Sequence, residues 1–344
     1  MNLLITGGAG FIGSHACKAL ARAGYTPVAY DNLSRGHADA VKWGPLEEGD
    51  IRDSARLFAV LREHDIRAVL HFAALAYVGE SFSAAGAYHD INVAGTWSLL
   101  DAMHAAGVDK IVYSSSCAVY GVPAIGVCSE DMPTQPINPY GASKAAAEQL
   151  LLMHALANGL RFISLRYFNA AGADPDGELG EDHDPETHLV PLAIKAALPD
   201  GAPLSIFGLD YPTRDGSAER DYVHVSDLAD AHLAALEHLR EGGASDIVNL
   251  CTGGGATILE VCAAVRDVLG APPRTLVAPR RPGDPPRLIG SGEKARALLN
   301  WRPHRSDLHQ LIRDAAAWIR EPVGAWTSGE SPKVRPPSAA QPWE

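Results

Sequence analysis

Short apolar runs alternate with longer segments of helical spacing through the first half of the chain. Asn2–Thr6 reads as a buried strand, residues 12–23 as a helix and residues 26–30 as the next strand. The strand signature returns at 68–73 and 110–115, around a helical region near 88–106, and a helix at 142–157 leads into a strand at 162–167. Strands separated by helices predict a doubly wound parallel sheet, with ligands held at the carboxyl ends of its strands. From about Ala173 the texture changes to loops rich in Gly, Pro and Asp with shorter elements between them. This predicts a first domain over 1–172 and a smaller α/β domain over 173–327, from which 220–225 and 247–250 return to the main sheet. Residues 328–344, rich in Pro, Ser and Ala without apolar periodicity, read as a disordered tail.

Composition narrows the function. With 344 residues, 47% of them hydrophobic, the chain can bury one large core or two smaller ones sharing a cleft. A formal net charge of -12 argues against a nucleic-acid surface, which needs clustered Lys and Arg. The five cysteines are scattered and contain no Cys-x-x-Cys pair, so no disulfide framework or zinc site is expected and a reducing compartment fits. No signal core or run of transmembrane length stands in the sequence, and the expected location is the cytoplasm.

Two local patterns carry chemistry. Gly7-x-x-Gly10-x-x-Gly13 follows a strand and enters a helix, the context in which backbone amides and a helix N-terminus hold a pyrophosphate. Asp31 ends the second strand, where its carboxylate accepts from a ribose diol and repels a 2'-phosphate, favouring NAD over NADP; Arg35 nearby keeps the second cofactor open. Tyr140 and Lys144 stand four apart on a helical segment and share a face. Bringing a phenol from its usual pKa near ~10 to about 7 takes roughly 4 kcal/mol, which a lysine and a cationic nicotinamide can supply. Redox chemistry at a bound nicotinamide, with the Rossmann fold to hold it, is the reading that joins these patterns. The run from Glu181 to His188, with two histidines and four carboxylates, reads as a flexible acidic loop, and no metal is expected. Cys117 and His71 read as packed side chains, His224, His232 and His238 as satisfied or solvated ones, and Ser116 lacks the glycine elbow of a hydrolase nucleophile.

With Ser114-Ser115-Ser116, these patterns resemble the extended short-chain dehydrogenase/reductases. Further strings resemble the UDP-hexose 4-epimerases of the UDP-glucose 4-epimerase type: Asp31-Asn32-Leu33, Gly49-Asp50-Ile51-Arg52, His71-Phe72-Ala73-Ala74, Val78-Gly79-Glu80-Ser81, Leu165-Arg166-Tyr167-Phe168-Asn169, Arg220-Asp221-Tyr222-Val223-His224-Val225 and Arg281-Pro282-Gly283-Asp284. The matches run from Leu3 to about Trp301. The resemblance implies a catalytic group of Ser116, Tyr140 and Lys144. It places Gly7, Gly10, Phe11, Ile12, Gly13, Asp31, Asn32, Asp50, Ile51, Phe72, Ala73, Ala74, Asn92 and Phe168, with Tyr140 and Lys144, on NAD. Asn169, Leu189, Phe207, Arg220, Arg281, Asp284 and Leu288, with Ser116 and Tyr140, fall around a UDP-sugar. It further implies oxidation at C4, turning of the 4-keto sugar, reduction from the other face, and a homodimer.

Three positions depart from some relatives. Ala76 stands where a lysine near the dinucleotide occurs, His188 where an asparagine beside the sugar nucleotide occurs, and Leu288 where size separates plain from N-acetylated hexoses. Among rivals, a sugar-nucleotide 4,6-dehydratase would carry an acid pair directly after the active-site Ser or Thr, where Cys117-Ala118 stands here. A 4-epimerase of UDP-xylose and UDP-arabinose is hardly separable by sequence. An inert nicotinamide sensor would lose Tyr140 or Lys144, and both are present.

Overall fold

The computed structural model describes residues 1–123, 127–281 and 284–320, so the tail expected at 328–344 lies outside the described residues. Strand β1 (Asn2–Thr6) shows why the first run is apolar without alternation. Successive side chains go to opposite faces, and both faces are covered. Leu3 and Ile5 pack with Leu20, Leu70 and Leu228, whereas Leu4 packs with Leu57, Val69 and Leu99 on the other side. Helices Phe11–Arg22 and Val225–Arg240 lie together on the first face; Ser54–Glu63, Gly95–Ala106 and Pro139–Asn158 cover the second.

The remaining strands of this half are β2 (Thr26–Asp31), β3 (Leu46–Glu48), β4 (Ala68–His71), β5 (Lys110–Ser116) and β6 (Arg161–Tyr167). With Asp246–Leu250 on one edge they form a seven-stranded parallel sheet in the order Asp246–Leu250, β6, β5, β4, β1, β2, β3. This is the doubly wound sheet expected from the sequence. Winding reverses between β1 and β4, so a crevice opens at their carboxyl ends, where the glycine turn lies.

Of the two segments expected to return to this sheet, Asp246–Leu250 does, pairing with β6. Glu219–His224 does not. It forms the centre of a second, four-stranded sheet, flanked by Asn169–Ala171, Gly255–Thr257 and Arg287–Leu288. A short buried run has the same residue pattern in either sheet, and here the strand begun at Asn169 captures it. Leu204–Phe207 and Thr275–Ala278 form a separate parallel pair. Lys18 on the first helix ties the following loop to the large sheet through Asp174, Asp176 and Glu178, at 2.5, 2.8 and 2.6 Å.

Candidate active site

Gly7 adopts φ 72°, and a Cβ there would lie 2.6 Å from the Ala73 backbone nitrogen; a Cβ on Gly13 would lie 2.1 Å from the Gly7 carbonyl. Only glycine lets the turn fold this tightly against β4 and deliver Gly10 as the cap of the helix Phe11–Arg22. Asp31 closes the turn from β2: one carboxylate oxygen accepts from Ala9 N at 3.1 Å, the other from Leu33 N at 2.9 Å. Burial raises its pKa while these amides oppose the rise, and free lone pairs still face the cleft. Arg35 pairs with Glu80 at 2.7 Å and lies over the Tyr77 ring, so its charge is already matched.

The catalytic candidates come together through another close approach. Ser116 ends β5 and caps the turn Cys117–Tyr120, its hydroxyl accepting from Ala118 N at 3.1 Å. Asn138 caps the next helix, accepting from Gly141 N at 2.8 Å, and Pro139 opens it. A Cβ at position 141 would stand 2.4 Å from the Ala118 carbonyl, so glycine allows the helix start to settle on the serine turn. Tyr140 is thereby carried to the Ser116 hydroxyl. Burial pushes the phenol up to about 12, and the serine opposes this. Lys144, one turn on, is driven down to about 7 by burial and raised by Glu148. Its ammonium nitrogen meets the Ser114 carbonyl at 2.8 Å and the Tyr113 ring at 5.0 Å. Ser116 is the side chain that meets the phenol, while Lys144 is held one turn on by the Ser114 carbonyl.

Beneath the pair, Glu148 binds Arg166 at 2.6 Å and accepts from Ser115 at 2.6 Å and Ser164 at 3.0 Å. Arg166 also donates to the Tyr120 hydroxyl, which donates in turn to Asn249. Both charges are buried and fully partnered, which fixes the catalytic helix against β5 and β6.

The glycine turn, Asp31, Ser116, Tyr140 and Lys144 line one cleft of about 2060 Å³. Its walls include Gly7, Gly10, Phe11, Ile12, Gly13, Asp31, Asn32, Ile51, Phe72, Ala73, Ala74 and Phe168 on the dinucleotide side. Asn169, Leu189, Phe207, Arg220, Arg281, Asp284 and Leu288 line the opposite side, with Ser116, Tyr140 and Lys144 also on the wall. Two of the expected residues are not part of this lining. Asp50 pairs with Arg52 at 2.7 Å, outside the lining. Asn92 is buried in a π-helical turn, Asp90–Ala94, and spends its amide on Leu75 N and O and on Ser143. Arg220 is paired with Asp284, whereas Arg281 has no ion-pair partner among the described residues and stacks over Phe207 at 3.9 Å.

Tyr77, which the sequence did not single out, and the acidic loop also face the cleft. Tyr77 presents a buried hydroxyl that has no hydrogen-bond partner among the described residues. The acidic loop is folded inward, and carboxylate oxygens of Glu181 and Glu186 and ring nitrogens of His183 and His188 lie within 4.8 Å of one another. Their spacing along the chain was legible; their convergence under Tyr77 depends on tertiary contacts.

The residues present fit a dinucleotide: a glycine turn opening a helix, a strand-end carboxylate and an apolar wall. The model for the NAD dependent epimerase/dehydratase family matches residues 3–251. UDP-glucose 4-epimerase of Rhizobium meliloti (strain 1021) is 51% identical over 317 residues, covering 92% of this chain and 96% of that protein. UDP-glucose 4-epimerase from Brucella ovis, solved in complex with NAD, superposes with a TM-score of 0.90 at 50% identity, covering 92% of this chain and 97% of that one. UDP-glucose-4-epimerase from Stenotrophomonas maltophila, solved with NAD and formylated UDP-arabinopyranose, gives 0.89 at 40% identity over 93% of this chain and 98% of that one. With the glycine turn, the strand-end Asp31 and the Ser116, Tyr140, Lys144 group on one cleft, the chain belongs to the NAD dependent epimerase/dehydratase family.

Proposed function

We propose that the protein is an NAD-dependent 4-epimerase that interconverts UDP-glucose and UDP-galactose. The observation that carries this reading is the meeting of Ser116, Tyr140 and Lys144 on the wall that the glycine turn also lines. NAD, held by the glycine turn and Asp31, would supply a hydride acceptor at C4 and the donor for the reverse transfer. Tyr140, as the tyrosinate, takes the proton of the sugar 4-hydroxyl, with Ser116 holding that sugar oxygen as it becomes a carbonyl. Lys144 sits one turn behind, fixed by the Ser114 carbonyl, and its cation supports the charge. Arg220 and Arg281 hold the diphosphate while the hexose, bordered by apolar Leu288, turns. Cys117-Ala118 after Ser116 gives no acid pair for loss of water, and the dehydratase reading is not favoured.

The test is incubation of the purified protein with UDP-galactose, UDP-N-acetylgalactosamine or UDP-xylose, with no cofactor added, following the 4-epimers by NMR. Conversion of UDP-galactose is expected, with NAD as the nucleotide released on denaturation. Recovery of mainly NADP, or conversion of the pentose alone, would count against it.

We also infer a cytoplasmic homodimer. All five cysteines are unpaired, and among the described residues no helix is long and apolar enough to cross a membrane. Trp97, Met153 and Leu156 are 48%, 58% and 90% exposed on adjoining helices, with Trp97 against His154. A second copy would cover this strip. Met153→Asp with Leu156→Asp is expected to halve the mass seen by sedimentation; an unchanged mass would reject this face.

A further inference from the structure

Glu181 is a buried carboxylate with no lysine or arginine against it among the described residues. Two imidazoles stand there instead, His183 Nδ1 at 3.1 Å and His188 Nδ1 at 2.5 Å from the same oxygen. Glu186 lies 3.4 Å from the same His188 nitrogen, and the Trp318 indole donates to the Glu181 backbone carbonyl at 3.2 Å, steadying the segment from behind. A buried carboxylate without a cation is costly, so the cluster favours the charged form of His188. Burial pulls His188 down, but Glu181 and then Glu186 lift it to about 10. Burial likewise raises Glu181, but His183 and His188 hold it at about 2.

The other nitrogen of His188 points to a use. Both ion pairs of His188 run to Nδ1, by proximity and without hydrogen-bond geometry, so that Nε2 stands outside them, and the residue lines the cleft. His188 is also the N-cap of the helix Leu189–Ala197, where free amides and the helix dipole favour an anion. The groups around it do not compete for its proton. His183 shares its carboxylate; Tyr77, whose ring centre is 6.3 Å away, is kept neutral by burial that pushes its phenol up to about 12. Arg35 lies over Tyr77 and is matched by Glu80, and Lys195 lies two turns along the capped helix.

We propose that Glu181 is a positioning residue that acts through His188, fixing the ring so that its Nε2–H donates to a diphosphate oxygen of the sugar nucleotide beside Arg220 and Arg281. The inference rests on the UDP-sugar reading above. It makes the third cation of the substrate site a titratable one whose charge is set by a buried neighbour. In the wild type the raised folded pKa keeps the imidazolium through pH 8.5, and its contribution is lost only as the pH climbs towards about 10. Without Glu181, the ring returns towards the ordinary histidine value of about 6.5.

The experiment is KM and kcat for UDP-galactose from pH 6 to 8.5 in wild type, Glu181→Gln, His188→Asn and the double variant. The diphosphate diester stays doubly ionised over this range, so only protein groups titrate. Wild-type KM is expected to be flat. Glu181→Gln should match wild type within about twofold at pH 6 and show a KM about tenfold higher at pH 8.5, with kcat changed less than about twofold, the loss of one charge-assisted contact. His188→Asn should raise KM about tenfold at every pH, and the double variant should be no worse. A KM raised equally at both ends in Glu181→Gln, or unchanged at both, overturns the proposal, as does an unaltered KM in His188→Asn should Glu181→Gln not fold. Absence of wild-type turnover overturns the functional reading and this inference with it; wild-type turnover with a flat KM in Glu181→Gln overturns this inference alone.

Discussion

Replacing Tyr140 by Phe is expected to lower kcat for UDP-galactose by at least ~100-fold while leaving the fold and the bound cofactor in place. The substitution removes one oxygen. The ring remains packed edge-on against Tyr88 at 6.3 Å, and Asn138, Pro139 and Gly141 still set the helix start. Ser116 alone can polarise the 4-hydroxyl but cannot take its proton away, because a serine hydroxyl is a far weaker base than a tyrosinate. Burial opposes that tyrosinate, so its formation must draw on positive charge, which Lys144 and a bound cationic nicotinamide ring would supply. The cofactor-loaded enzyme should therefore bind a proton less tightly at Tyr140 than burial alone dictates. Circular dichroism and cofactor content check the first part, and initial rates the second. Turnover within a few-fold of wild type would remove Tyr140 from the chemistry.

The second large effect is expected at Leu288, and it concerns choice of sugar. Leu288 pairs in register with Arg220 in the second sheet and packs in one cluster with Cys117, Phe168 and Cys251. It therefore joins the arginine assigned to the diphosphate to the residue that follows Ser116, along the path a hexose must occupy. An acetamido group at C2 would press on its methyls. Overpacking of this kind costs roughly 1 to 3 kcal/mol, or about a five- to 150-fold penalty when felt in the transition state. Leu288→Ser is expected to shift the ratio of kcat/KM for UDP-galactose over UDP-N-acetylgalactosamine towards the acetylated sugar by a factor in that range. An unchanged ratio would put the size limit on another wall.

What was legible in the sequence and what was not separates along one physical line. Local periodicity reports burial, and it found β1, β5, β6 and the catalytic helix to within a few residues because those segments are buried on both faces or carry a long apolar stripe. It does not report partners, so Glu219–His224 was placed in the wrong sheet. The three-residue β3 contains two glutamates and gives no apolar run to find. Two helices left unassigned did carry start signals: Asp53 caps Ser54–Glu63, and Thr257 with Glu260 forms a capping box ahead of Ile258–Leu269. Within the site, Tyr140, Lys144 and the glycine turn were legible because their spacing is local. The π-helical turn that withdraws Asn92, the pairing of Asp50 with Arg52 and the Glu181 cluster were not, since each depends on contacts made only after folding.

The passage from the large sheet to the second one has a mechanical consequence. The chain leaves β6 at Tyr167 and enters the next strand at Asn169, so Phe168 is the whole connection; it crosses again between Leu250 and Gly255. Two links this short, one of them a single bulky residue in the wall, leave little slack for a hinge, and Lys18 rivets the adjoining loop to the first helix. The jaws of the cleft are thus held at a nearly set gap. Admission and release of ligand then fall to side chains and surface loops, and the sugar must somersault inside a chamber whose walls do not part to make room.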